Sequence, residues 1–160
     1  MDPQIALSAQ LYDVSTVLMP RSVEGLNREE LCKPAGPEST PMIWMAAHLT
    51  QVRHGLLKML GEATEIPWDA RFGRGSTVRS PNEYPRMEEI LDLWSQTAAA
   101  LRQRLGSLTD AELSAKPPRE FRIADKSLRG AIAYLAYHEA YHVGQMAYLR
   151  KWLGKESLVG

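Results

Sequence analysis

The stretch SLRGAIAYLAYHEAYHVGQMAYLRKWLG, residues 127–154, decides how this chain is read. Ser127 is a candidate N-cap, no proline interrupts the run, and Gly154 is a natural C-terminal stop preceded by Arg150 and Lys151, cations that suit a helix C-terminus. The stretch predicts one long helix. At about 100° per residue, Leu128, Ala131, Leu135, His138, His142, Gln145, Met146, Leu149 and Leu153 gather into one stripe. A single histidine on an apolar face is usually a core residue. Two of them one turn apart can aim ring nitrogens at a common point, as a divalent cation requires. Gln145, polar within that stripe, is expected to find a hydrogen-bond partner at or beside such a site.

His138, Glu139 and His142 also spell H-E-x-x-H, the zinc-protease helix in which the glutamate is the general base. The rest of that signature fails. Its extended form wants Gly at 145 and His at 148, where this chain has Gln145 and Tyr148; its other form wants a glutamate on a later helix, and only Glu156 follows. A third ligand must therefore come from upstream.

Working outward, three more amphipathic segments appear. Between Pro3 and Met19, Leu7, Leu11, Val14 and Leu18 recur at helical spacing, with Asp2 as a cap and Pro20 at the far end. Asn27 and Glu30 form a capping box for one short turn, followed by the proline-rich KPAGPESTP. Thr40 and Pro41 open a second long helix that runs to about Leu60, with Gly61 as its stop and Met42, Met45, Leu49, Val52, Leu56 and Leu60 as its stripe. His48 falls at the margin of that stripe, whereas His54 lies nearly opposite its centre and reads as a solvated residue. His48 is thus the leading third ligand. Residues 86–105 predict a third helix ending at Gly106, with Ile90, Trp94, Leu101 and Leu105 at core spacing. Thr109 and Glu112 then form a second capping box before Pro117 and Pro118.

The connector from Glu62 to Pro85 is long for a helix connection. Its Trp68, Arg71, Phe72, Arg74 and Arg79 surround two glycines, but the pattern matches no phosphate-binding loop, and a plain solvated loop is the simpler reading. No strand pattern or internal repeat is present. Four amphipathic helices in 160 residues predict an all-α single domain, a four-helix bundle with long connecting loops, and bundle interiors are a recurrent place for metal sites.

Composition narrows the partners. The 19 basic residues balance the 19 acidic ones, so no field attracts nucleic acid or an acidic membrane surface. One cysteine, Cys32, leaves no intramolecular disulfide framework, and MDPQIALSAQ has neither a basic leader nor a long apolar run. The expectation is a cytoplasmic protein with a small-molecule substrate.

The histidine in WMAAHLTQVRHGLLKML followed far downstream by HEAYHVGQMAYLRKWLG resembles the DinB-like (DinB/YfiT) superfamily, grouped as metalloenzymes. The resemblance spans nearly the whole chain. Its most specific part is H-x-x-x-H-x-G-Q at His138, His142, Gly144 and Gln145, with the L-R-x-x-L-G ending at Leu149 to Gly154. The resemblance implies one divalent ion held by His48, His138 and His142, a homodimer, and in some relatives a low-molecular-weight thiol as cofactor.

Three neutral imidazoles leave a cation at least one open position, as in catalytic rather than sealed sites. Water or a thiol placed there ionises readily, so the first functional reading is a metal-dependent hydrolase or thiol-dependent transferase. Glu139, on the edge of the stripe, is its candidate catalytic base or histidine-orienting partner, with an exposed glutamate doing neither as the alternative. Zinc, nickel, iron and manganese all remain open. The alternatives are a metal- or small-molecule-binding module without turnover, and a bundle whose histidines only pack.

Overall fold

The computed structural model describes residues 1–37, 39–63, 65–68, 71–73, 75–76 and 80–159. Its elements are α1 (Ala6–Val23), α2 (Arg28–Cys32), α3 (Met42–Met59), α4 (Met87–Ser107), α5 (Asp110–Ser114) and α6 (Leu128–Trp152), with short 3-10 turns at Pro3–Ile5 and Pro81–Glu83. No strand occurs among the described residues. Helices α1, α3, α4 and α6 form the bundle, and α2 and α5 are single turns within the connectors.

Local chemistry sets the helix ends. Both expected capping boxes form, Asn27 with Glu30 at α2 and Thr109 with Glu112 at α5. Gly61 and Gly154 adopt φ of 88° and 78°, the left-handed conformation that ends α3 and α6 at little steric cost to glycine. Gly106 is no stop, because α4 runs through it to Ser107. Pro41 is the cap residue of α3 rather than its first helical residue. At the start of α6, a Cβ on Gly130 would lie 2.0 Å from the Asp125 carbonyl oxygen, so the approach of that loop requires glycine.

Helix α1 departs from expectation twice. It continues through Pro20, whose missing N–H frees the carbonyl of Thr16, and Trp94 Nε1–H donates to that carbonyl at 3.3 Å. A proline that normally stops a helix is tolerated here because α4 supplies the lost donor. Second, the regular stripe does not face the core. Leu7 is 70% and Val14 53% exposed, while Ser8, Ala9, Tyr12, Ser15 and Met19 are buried. The small serines permit the close contact of α1 with α6, the most extensive in the bundle.

The neighbouring pairs are α1–α6, α3–α4, α3–α6 and α1–α4, so α1 and α3, like α4 and α6, lie across the bundle from one another. Two apolar clusters occupy its two ends. One holds Met42, Met45, Trp68, Phe72, Ile90 and Met146; the other holds Ile5, Leu56, Leu57, Leu101, Ile132 and Leu135. Each helix passes from one cluster to the other, and the order of its residues gives its direction: α1 and α6 run one way, α3 and α4 the opposite way. Consecutive helices α3 and α4 are therefore parallel. The connector between them must travel back along the bundle, about 27 Å for an 18-residue helix. Topology accounts for its length. It is not a plain solvated loop, because Ile66, Trp68, Phe72 and Tyr84 are all buried; Arg71 is exposed, and Arg74 and Arg79 lie outside the described residues.

Between the two clusters lies a polar layer. Arg53 of α3 and Glu139 of α6, each 1% exposed, form a two-point ion pair: Nε to Oε1 at 2.6 Å and Nη2 to Oε2 at 2.8 Å. The guanidinium also donates to Thr16 Oγ1 at 2.8 Å and the Tyr12 carbonyl at 3.0 Å, both on α1, and stacks 3.5 Å from the Trp94 ring centroid on α4. One side chain thus touches the other three bundle helices.

A candidate metal centre of three histidines

His48 of α3 and His138 and His142 of α6 converge, although 90 residues separate the first two in sequence. Each offers a ring nitrogen, and the three nitrogens lie within 4.8 Å of one another. His48 is buried, and the other two are partly exposed, so the cluster opens along the α6 side. His54 does not join it. It is buried in the bundle wall, not solvated as the wheel suggested, because α3 is enclosed by neighbours on most of its circumference.

The tautomer of His48 follows from its partner. Its Nδ1 contacts the carbonyl oxygen of Phe72, which can only accept, so Nδ1 carries the proton and Nε2 presents its lone pair. That lone pair meets His138 Nε2 at 3.3 Å. With metal–nitrogen bonds of about 2.1 Å, a tetrahedral angle sets adjacent ligand nitrogens about 3.4 Å apart. The His48–His138 spacing fits. Nδ1 of His138 and Nδ1 of His142 are enclosed without a hydrogen-bond partner; on His138 the nitrogen that faces His48 is Nε2, so its Nδ1 is not the atom offered to a cation. The donor set and its spacing therefore fit a divalent cation.

Electrostatics agrees. Burial lowers the His48 imidazole below its ordinary value, against the pull of the Phe72 carbonyl. Burial brings His138 down to about 4, reinforced by the neighbouring charges of His142, His48 and Arg119. His142 is likewise brought to about 4 by burial and by His48, with a contact from Gln145 opposing. At neutral pH all three rings are uncharged, as ligands must be.

A pH dependence follows for the metal-free protein. Unfolded imidazoles take up protons near 6.5 and the folded ones only near 4, so the unfolded state binds more protons across that window. The histidine contribution is complete above about pH 6.5 and declines as pH falls towards 4. Melting temperature recorded from pH 7.5 to 4 should show this decline, and the His138→Ala/His142→Ala double variant should flatten it; an equal slope in both proteins contradicts the assignment.

The residues around the cluster were only partly legible. Phe72 was not singled out as a positioning group, since a backbone carbonyl leaves no sequence signal. Its N–H donates to Gln51 Oε1 at 3.0 Å, one turn from His48, so both polar groups of its peptide backbone are tied to α3 side chains. Trp44 stacks on the His48 ring, centroids 4.8 Å apart. Gln145 is exposed rather than interior; it donates to the Tyr141 hydroxyl at 3.2 Å and lies beside His142. Gln51→Leu should weaken metal binding about tenfold, the low end of what loss of a ligand-orienting contact costs. Titration with zinc reads this directly, and unchanged affinity removes Phe72 from that role.

Glu139 is placed elsewhere than expected. On the wheel it sits at the stripe's edge, but the structure buries it in the polar layer, with both carboxylate oxygens committed to Arg53. Burial raises its carboxyl group's proton affinity and the guanidinium opposes this. The glutamate of the H-E-x-x-H spelling is thus drawn into the bundle interior, which corrects the reading of it as a base at the histidines.

Three uncharged imidazoles brought to one point from two facing helices are the kind of donor set from which metal sites in helical bundles are built. The model of the DinB superfamily matches residues 11–146, and the chain belongs to that superfamily. No protein of curated function matches it. Among solved structures, a DinB-like protein from Bacillus cereus aligns with a TM-score of 0.67 at 18% identity, covering 94% of this chain and 93% of the other. A conserved protein from Enterococcus faecalis gives 0.63 at 14%, covering 97% and 99%. YfiT from Bacillus subtilis, described as a probable metal-dependent hydrolase with an unusual four-helix bundle topology, gives 0.57 at 19%, covering 98% and 91%. These likenesses establish the fold.

Proposed function

We propose that His48, His138 and His142 hold one divalent metal ion and that the protein uses it on a small-molecule substrate, by hydrolysis or by transfer involving a low-molecular-weight thiol. The observation that carries this reading is the convergence of the three ring nitrogens within 4.8 Å, with His48 locked in a single tautomer. A bound divalent cation supplies Lewis acidity, which lets water or a thiol give up its proton near neutral pH. The chain's own groups do the rest. Trp44 and Phe72 close the His48 side, while exposed Tyr141 and Gln145 flank the open side, where they can donate hydrogen bonds to a substrate. The description of YfiT points the same way.

A second reading, a metal-binding module without turnover, is favoured by one observation. With Glu139 bound to Arg53, the cluster lacks the carboxylate base that H-E-x-x-H enzymes use. Incubating metal-loaded protein with ester and amide substrates, and with thiols plus electrophilic acceptors, divides the two. Turnover that is lost on chelation and restored by metal supports catalysis. Turnover that survives chelation overturns it, and none in any assay favours the module.

The exposed row of Leu7, Val14 and Val17 on α1 supports the expected homodimer, since a seam at this spacing buries well against another helix. Wild-type protein should elute at twice the chain mass in light scattering, and Leu7→Lys/Val14→Lys at the chain mass. A monomeric wild type rejects this assembly.

A further inference from the structure

Among the described residues, the Arg53–Glu139 layer is a buried ion pair that the metal reading leaves unused. A buried ion pair contributes little net stability, because desolvating two charges offsets most of their attraction, and apolar replacements are often neutral or stabilising. Stability alone does not explain why Arg53 and Glu139 lie in the middle of this core. Their location suggests another role. They join α3 to α6, the two helices that carry the histidines; Arg53 follows His48 by five residues, about 7.5 Å along the axis, and Glu139 directly follows His138.

Beside the histidines, α3 and α6 contribute apolar side chains to the clusters on either side of this layer, among them Ala46, Leu49 and Leu56 of α3 and Leu135, Val143 and Met146 of α6. Apolar rows of similar size tolerate a slip of one turn, about 5.4 Å, far better than a two-point ion pair does. Such a slip would exceed the 3.3 Å separation of His48 and His138 and disperse the cluster. The contacts of Arg53 with Thr16, Tyr12 and Trp94 fix its guanidinium from the other two helices.

We propose that Arg53 and Glu139 are positioning residues that set the register of α3 against α6 and so bring His48 to His138 and His142. The proposal rests on the metal reading only for its consequence; the convergence of the rings is testable without metal. The apolar double variant Arg53→Met/Glu139→Leu removes both charges together, keeps a sulfur–aromatic contact with Trp94, and leaves the Tyr12 carbonyl bonded to Thr16 Oγ1. It should melt at or above the wild-type temperature, yet lose the ring-to-ring nuclear Overhauser contacts between His48 and the α6 histidines in metal-free protein. Its cobalt affinity should fall about 10- to 100-fold, the range for loss of a ligand-positioning group. A purely structural pair would move the melting temperature and leave the ring contacts in place. If the double variant does not fold, Arg53→Lys carries the same test, because it keeps the charge and loses the two-point fork. Intact ring contacts in a folded variant overturn the proposal. A wild type that shows the ring contacts but binds no cobalt sinks the metal reading and leaves the register claim standing.

Discussion

Replacing His142 with alanine is expected to lower the affinity for zinc by at least about a hundredfold, beyond the 10- to 100-fold typical of losing a group that only orients a ligand. Two imidazoles then remain, and water must replace the third. His48→Ala should do the same or more, because it also unties the Phe72 carbonyl from α3. The comparison that gives the result meaning is His54→Ala. This histidine is equally buried on the same helix but lies outside the cluster, so its variant should keep wild-type affinity once corrected for any unfolded fraction. Calorimetric titration of the tag-free proteins reads all three. Comparable losses at His54 and His142 would mean that the titration reports general damage to the bundle.

The second large effect is on stability. Glu139→Ala leaves the Arg53 guanidinium at 1% exposure with Thr16, the Tyr12 carbonyl and the Trp94 ring as neighbours but no anion to balance it. An uncompensated buried charge of this kind costs about 3–5 kcal/mol. For a chain of this length the melting temperature should drop on the order of 10 °C. The apolar double variant should recover the whole loss, and that non-additivity separates a stranded charge from simple loss of packing. Thermal denaturation of the metal-free proteins measures it. A Glu139→Ala variant as stable as the wild type would mean that water reaches the guanidinium and that the layer is not dry.

Much of this was legible in the sequence, for reasons that differ from residue to residue. Spacing at one turn on a single stripe found His138 and His142. His48 was singled out as the histidine on the margin of the α3 stripe, and the capping boxes marked where two short helices start. What misled was any inference from one helix considered alone. On α1 the regular Leu7 to Leu18 stripe looks like the buried face, but the helix packs through its serines and Tyr12, since close approach to α6 needs small side chains. On α3 the wheel put His54 outside, although α4, α6 and the long connector leave little of that helix in contact with solvent. Glu139 was misread for a related reason. A charged residue at the edge of a stripe is usually solvated; here Arg53, 86 positions away, and Ser15 of α1 make its burial tolerable. The Phe72 carbonyl left no trace because backbone groups are common to every residue.

The central claim is that three imidazoles from two antiparallel helices form one cation site. Titrating chelator-stripped, tag-free protein with cobalt(II) while recording its visible absorption tests it most directly. Saturation at one equivalent is expected, with the intense ligand-field bands of a low-coordinate nitrogen site, and no such bands in His48→Ala. Weak, non-saturating binding in the wild type, or the same spectrum from wild type and His48→Ala, would contradict it.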